Sequence, residues 1–300
     1  IQPNDTIIVE EGDYDFGTEP LEIANTCVIK GENCSITGQT NLFQLADFIT
    51  LEVCNIHFKN VTLSATTSDG GILSGSGIYL KMTGCVIEDC TTEGRGLVCN
   101  NRADLILDHC VFKHNVTDKM MGCVYMIEDK DLVVKNCLFQ DNQATKGAAI
   151  YATNTGNIYI YGSSFISNVN KTQGSLAIVA PSSSTDVRVV NSTFANNKID
   201  VKSSFTNKMT GGSAIFLQSG TMGQLTLMHT TIVGNYTSCL KSGANASDFV
   251  GGAIYVMSGN LSLTNNIIAG NYSSCPRRGD ISMVDSTAVK TGHNNIFSCQ

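Results

Sequence analysis

The stretch Asp131-Leu132-Val133-Val134-Lys135-Asn136-Cys137-Leu138-Phe139-Gln140-Asp141-Asn142 restates Asp104-Leu105-Ile106-Leu107-Asp108-His109-Cys110-Val111-Phe112-Lys113-His114-Asn115 position by position. Each copy runs apolar, gap, apolar, gap, turn residue, small residue, gap, then Phe or Ile. The first apolar position is filled in turn by Leu51, Leu80, Leu105, Leu132, Ile158, Val187, Leu225 and Leu261. The second is filled by Val53, Met82, Leu107, Val134, Ile160, Val189, Leu227 and Leu263. The turn slot holds Asn55, Gly84, His109, Asn136, Gly162, Asn191, His229 or Asn265, residue types that accept left-handed or turn backbone.

The closing residues, from Phe58 to Ile268, are separated by 29, 25, 27, 26, 29, 38 and 36 positions, one turn of a solenoid per copy. No 3.6-residue apolar period runs through these units, which excludes helix-pair repeats. The expected fold is all-β: a single-stranded, right-handed parallel β-helix of roughly ten coils, its hand set by the general rule for parallel crossovers. Like residues then stack on like residues about 4.8 Å apart, and the stack buries an apolar face that a single coil cannot.

Two further signals repeat. A Gly-led strand precedes most copies, as in Gly122-Cys123-Val124-Tyr125, Gly147-Ala148-Ala149-Ile150-Tyr151 and Gly252-Ala253-Ile254-Tyr255. Three residues after the closing apolar position stand Asn115, Asn142, Asn168, Asn197, Asn235 and Asn271. They predict an asparagine ladder in which each amide bonds the next and tolerates the turn. Residues 1–45 depart from the repeat and are expected to form a cap and the first coils. Residues 46–300 form the β-helix proper, one continuous domain overall.

With 28 Gly, no Trp, 15% charged residues and a net charge of -7, the chain is neither a disordered segment nor a basic nucleic-acid binder. No run approaches the ~18 consecutive apolar residues of a membrane helix. The chain opens at Ile1 without a signal-peptide pattern, as expected of a mature or trimmed form.

Gly-Gly-Ala-Ile at Gly251–Ile254, paired with Phe-x-x-Asn at Phe112–Asn115, Phe139–Asn142, Phe165–Asn168 and Phe194–Asn197, resembles the passenger repeats of polymorphic outer-membrane proteins. The stretch from Thr231, through Asn266-Ile267-Ile268-Ala269-Gly270-Asn271 to Gly292-His293-Asn294, is similar to the choice-of-anchor Q region of bacterial surface β-helices. The resemblance implies export, display at the cell surface and adhesion. It leaves the mode of attachment open, because no translocator barrel or sorting tail accompanies these motifs.

Of the twelve cysteines, Cys85, Cys110 and Cys137 share the small-residue slot and are expected to act as filler in a stacked row. Cys239 and Cys275, each four residues after a ladder Asn, are the expected disulfide, with Cys299 as rival partner. No Cys or Cys-His spacing suggests zinc, and no metal or cofactor is expected. Ten Asn-x-Ser/Thr sequons occur, several of them in the ladder, and Arg278-Gly279-Asp280 matches an integrin-type tripeptide.

The outward positions of the repeated strand supply the candidate ligand-binding residues. Asp104 and Asp131 stand one rung apart, Tyr159 and Tyr161 share one side of a strand, and Arg188 follows on the next. Two aromatic rings beside a cation suit a sugar. Two carboxylates could instead serve glycoside hydrolysis, or polysaccharide lysis with a basic proton acceptor. The long connections 198–210 and 236–250 are expected to project side by side from one corner, where they either carry recognition or are loop drift in a tolerant solenoid. The main expectation is a non-catalytic module, secreted or at the surface, that binds glycan or a surface protein. A polysaccharide lyase or hydrolase is the alternative, and a structural spacer the third reading.

Overall fold

The computed structural model describes residues 1–63, 71–128, 130–179, 185–200, 211–218, 223–238, 252–274, 279–283 and 290–298. Every strand pairing among them is parallel, and Leu105 lies directly beside Leu132 in register. The chain is a parallel β-helix with three walls. Sheet A, with twenty strands, contributes two successive strands to each coil; sheet B has ten strands and sheet C eight. One coil illustrates the path: Val98–Asn101 in sheet B, Leu105–Asp108 and Val111–Lys113 in sheet A, then Val116–Met121 in sheet C. Strands Asp5–Val9 and Gly12–Asp15 pair in register with Cys27–Thr37, so the atypical first residues already belong to the stack.

Alternation explains the interior. Leu105 and Leu107 are fully buried while Ile106 and Asp108 face outward. Phe112, Phe139, Phe165 and Phe194 form a column of parallel rings with centroids 4.8, 5.0 and 4.4 Å apart. Each ring is completely buried, so truncating one to alanine costs about 3–5 kcal/mol.

Among the described residues, three left-handed corners turn the chain in the coils from Gly77 to Ser167. The turn slot is left-handed in every copy, with φ between 50° at Asn191 and 63° at Gly84. A second corner falls at Asn60, Asp89, His114, Asp141, Ser167 and Asn196, with φ from 53° to 57°, and at Gly234 and Gly270. It is therefore the residue before each ladder asparagine that adopts the turn conformation. The asparagine itself is left free to bond. The third corner, between sheets B and A, uses Gly77, Arg102, Glu128 and Asn154.

The ladder bonds are complete from rung to rung. Asn115 Nδ2 donates to Asn142 Oδ1 at 2.9 Å and to the Ile87 carbonyl at 2.9 Å, and the Asn115 backbone N–H reaches the same Oδ1 at 3.1 Å. The pattern continues through Asn168, Asn197 and Asn235 to Asn271. Asp280 ends it, accepting Asn271 Nδ2 at 2.9 Å and the Ser298 hydroxyl at 2.8 Å. A buried amide is affordable here because each of its polar atoms has a partner.

The small-residue row is a second ladder. The Cys110 N–H donates to Cys137 Sγ, Cys137 N–H to Ser163 Oγ at 3.1 Å, and Thr230 N–H to Asn266 Oδ1 at 2.9 Å. None of the nine described cysteines is in a disulfide, and all but Cys54 are buried. Cys239, Cys275 and Cys299 lie outside the described residues, as do Arg278 and most of the connections 198–210 and 236–250.

Candidate functional site

The corner between sheets B and A dictates what Asp104 and Asp131 do. Asp104 Oδ1 accepts the Asp131 N–H at 3.0 Å, and Asp131 Oδ1 accepts the Asn157 N–H at 2.7 Å. Asn157 in turn accepts the Asp186 N–H at 3.1 Å. Each carboxylate is a rung of a third, mixed Asp/Asn ladder, which is why Asn can replace Asp at the next step. In each of the two carboxylates one oxygen, Oδ1, is committed to the backbone of the next coil.

Tyr159 and Tyr161 do share the outer face of sheet A, their rings parallel within 10° and 6.4 Å apart. Arg188 is the lateral neighbour of Tyr159 but bonds Asp186 at 2.6 Å, which raises its pKa further. Partial desolvation pushes the Tyr159 phenol up. The integrin-type tripeptide is excluded as a recognition loop by Asp280, whose carboxylate is the buried end of the ladder. Ladder sequons at Asn115 and Asn235 are likewise fully buried, so the folded ladder leaves no room there for a glycan.

A concave surface lies elsewhere, on the outer face of sheet B. Register places Gln44, Ser74, Cys99 and Tyr125 in one outward column and Ser76, Asn101 and Ile127 in the next. These columns floor a trough of about 470 Å³, walled by Asn41, Asp47 and Arg95. A volume in this range accommodates a small ligand or a few sugar units. The Arg95 guanidinium stands 5.7 Å from the Tyr125 ring centre, a cation–π contact. Asn101 Oδ1 is buried with no hydrogen-bond partner.

Beyond the trough the Tyr125 column continues as Tyr151, Ala177, Phe216 and Tyr255, a second apolar cluster outside the helical core. Tyr125 and Tyr151 lie 6.0 Å apart and 20° from parallel, and burial pushes the Tyr151 phenol up to about 12. Sequence reasoning passed over this face because the Gly-led strands read as corner signatures. The aromatic that recurs at this outward position, Tyr125, Tyr151, Phe216 and Tyr255, is the available signal, interrupted by Ala177.

Residues 116–251 match the family described as the right handed beta helix region. No curated protein matches the chain. Solved structures that resemble it include the catalytic unit of a thermostable GH87 alpha-1,3-glucanase from Streptomyces thermodiastaticus strain HF3-3, at 12% identity and a TM-score of 0.39. A PL6 alginate lyase in complex with a trisaccharide resembles it at 14% identity and a TM-score of 0.39. The chain is covered over 98% and 94% of its length, but it spans only 63% and 58% of those two chains. A mannuronic acid specific polysaccharide family 6 lyase from human gut microbiota follows at 12% identity and a TM-score of 0.32, with 95% of this chain and 79% of that one covered. Stacked parallel strands, the recurring left-handed corners and the family match establish the fold as a right-handed parallel β-helix.

Proposed function

We propose that the protein binds a polysaccharide chain in the trough on sheet B. The observation that carries this reading is the lining: amides and hydroxyls of Gln44, Ser74, Ser76 and Asn101 beside an arginine held over a tyrosine. Sugars offer hydroxyls to such donors and acceptors and C–H faces to aromatic edges, and a floor of stacked strands pre-organises the site. Arg95 favours an acidic glycan, since a guanidinium takes a carboxylate in a bidentate fork. Export to the surface belongs to the same proposal, and labelling of intact cells tests it.

Calorimetry with neutral and acidic oligosaccharides checks the binding. Tyr125→Ala and Arg95→Ala each weaken it by at least about tenfold, while Tyr159→Ala leaves it unchanged. Binding that survives both trough variants, or that depends on Tyr159, overturns the assignment in favour of the sheet A face. A second reading, cleavage of the bound chain, is supported by one carboxylate, Asp47, and one guanidinium, Arg95, facing the same trough. New reducing or unsaturated ends formed by the parent and abolished in Asp47→Asn distinguish it from binding alone.

A further inference from the structure

The second left-handed corner stacks three titratable residues from consecutive coils: Asp89, His114 and Asp141, with φ of 53°, 55° and 53°. Left-handed backbone turns these side chains outward at one edge of the rod, about one rung apart. Asp89 and His114 are exposed. Among the described residues, Glu88, Asp89 and His114 form a group whose ligand atoms all lie within 4.8 Å of one another.

The spacing inside the group is informative. His114 Nδ1 stands 3.5 Å from Asp89 Oδ1, long for a hydrogen bond. Two ligands bound at about 2.1 Å and a tetrahedral angle stand about 3.4 Å apart, so the gap matches a shared ion. On the other side of the ring, His114 Nε2 looks toward Asp141 Oδ2 at 3.9 Å. A ligating imidazole commonly has its second ring nitrogen directed at a carboxylate, which fixes tautomer and orientation.

Glu88 is held from behind. Lys113 Nζ bonds its Oε1 at 2.8 Å and His57 Nε2 its Oε2 at 3.0 Å, and the Lys113 ammonium keeps the carboxyl below the usual carboxylate range. Each carboxylate oxygen retains a second lone pair for an ion. Three carboxylates against one lysine leave these four side chains about two negative charges in excess, the charge a divalent ion balances.

We propose that Glu88, Asp89 and His114 form a binding site for a first-row divalent metal ion such as zinc, with Asp141 as a positioning residue. Imidazole with two carboxylates is a donor set that suits such ions, and water would complete the shell. The ion would clip two neighbouring coils at the surface. The site is independent of the trough, which lies on a different sheet.

Titration calorimetry of the full chain with zinc chloride tests it, followed by cobalt(II) absorption as a report of the ligand field. One-to-one uptake saturating below about 1 mM is expected. His114→Ala and Asp89→Asn each abolish it, and Asp141→Asn weakens it about tenfold. His109→Ala is the control: His109 sits 2.7 Å from Asp108 but has no third ligand among the described residues, so its loss leaves zinc uptake intact. Circular dichroism establishes that each variant is folded, and the exposed ligand positions make that the expected result. Absence of saturable uptake, uptake that survives His114→Ala, or uptake lost in His109→Ala overturns the proposal.

Discussion

Replacing Asn168 by alanine removes one rung from the middle of the asparagine ladder, and the structure sets the magnitude. Asn168 Oδ1 accepts the Asn142 N–H at 3.1 Å and Asn142 Nδ2 at 3.0 Å. Its Nδ2 donates to the Phe139 carbonyl at 2.9 Å and to Asn197 Oδ1 at 3.0 Å. Asn142 Nδ2 keeps the Phe112 carbonyl, and Asn197 Oδ1 keeps the Asn168 backbone N–H. Two groups lose this partner without another side-chain bond, the Asn142 N–H and the Phe139 carbonyl. At roughly 1–3 kcal/mol for each buried unsatisfied group, the expected cost is about 4 kcal/mol. Asn154→Ala is the comparison, since exposed Asn154 supplies mainly a tolerance of left-handed backbone, and about 1 kcal/mol is expected there. Urea unfolding gives the two losses, and hydrogen exchange at the Asn142 amide locates the first. An Asn168→Ala loss below about 1 kcal/mol, with Asn142 still protected, would refute the argument that the ladder holds the coils together.

Three further outcomes are expected. Phe139→Ala opens a void between Phe112 and Phe165 and lowers the unfolding free energy by about 4 kcal/mol in urea; a loss under about 2 kcal/mol means the column re-closes. Asp131→Ala costs about 1 kcal/mol by the same measurement and leaves glycan binding unchanged, while Asp131→Asn restores the acceptor for Asn157 and with it the stability. Burial raises the Cys90 thiol to about 12, so folding suppresses an ionisation that the unfolded chain undergoes near pH 9. The stability tied to Cys90 is therefore fully present below about pH 9 and falls by about 1.4 kcal/mol per unit up to pH 12, readable from urea midpoints in that window.

Much of the architecture is legible in the text of the chain because a solenoid repeats its physics at short range. Leu105 and Leu107 announce an inward pair, His109 a corner and Phe112 the second strand, and the same order at Leu132 places one coil on the next. The asparagines announce themselves for the same reason. The acids are harder: Asp104 and Asp131 occupy outward-looking positions in the alternation, yet their oxygens turn back to backbone N–H groups of the adjacent coil. Alternation says which face a residue is on and says nothing of what its terminal atoms reach.

The sequence by itself determined the repeat, the inward columns and the corners, since each depends on residues a few positions apart and on burial every second place. Only the tertiary structure decided where chemistry can occur. The trough joins Gln44, Asp47, Arg95 and Tyr125, and the corner cluster joins Glu88 to His114, across coils whose spacing in the chain varies with each connection. Side chains far apart in the chain meet through lateral register, which is set by the whole stack of parallel strands rather than by any one segment.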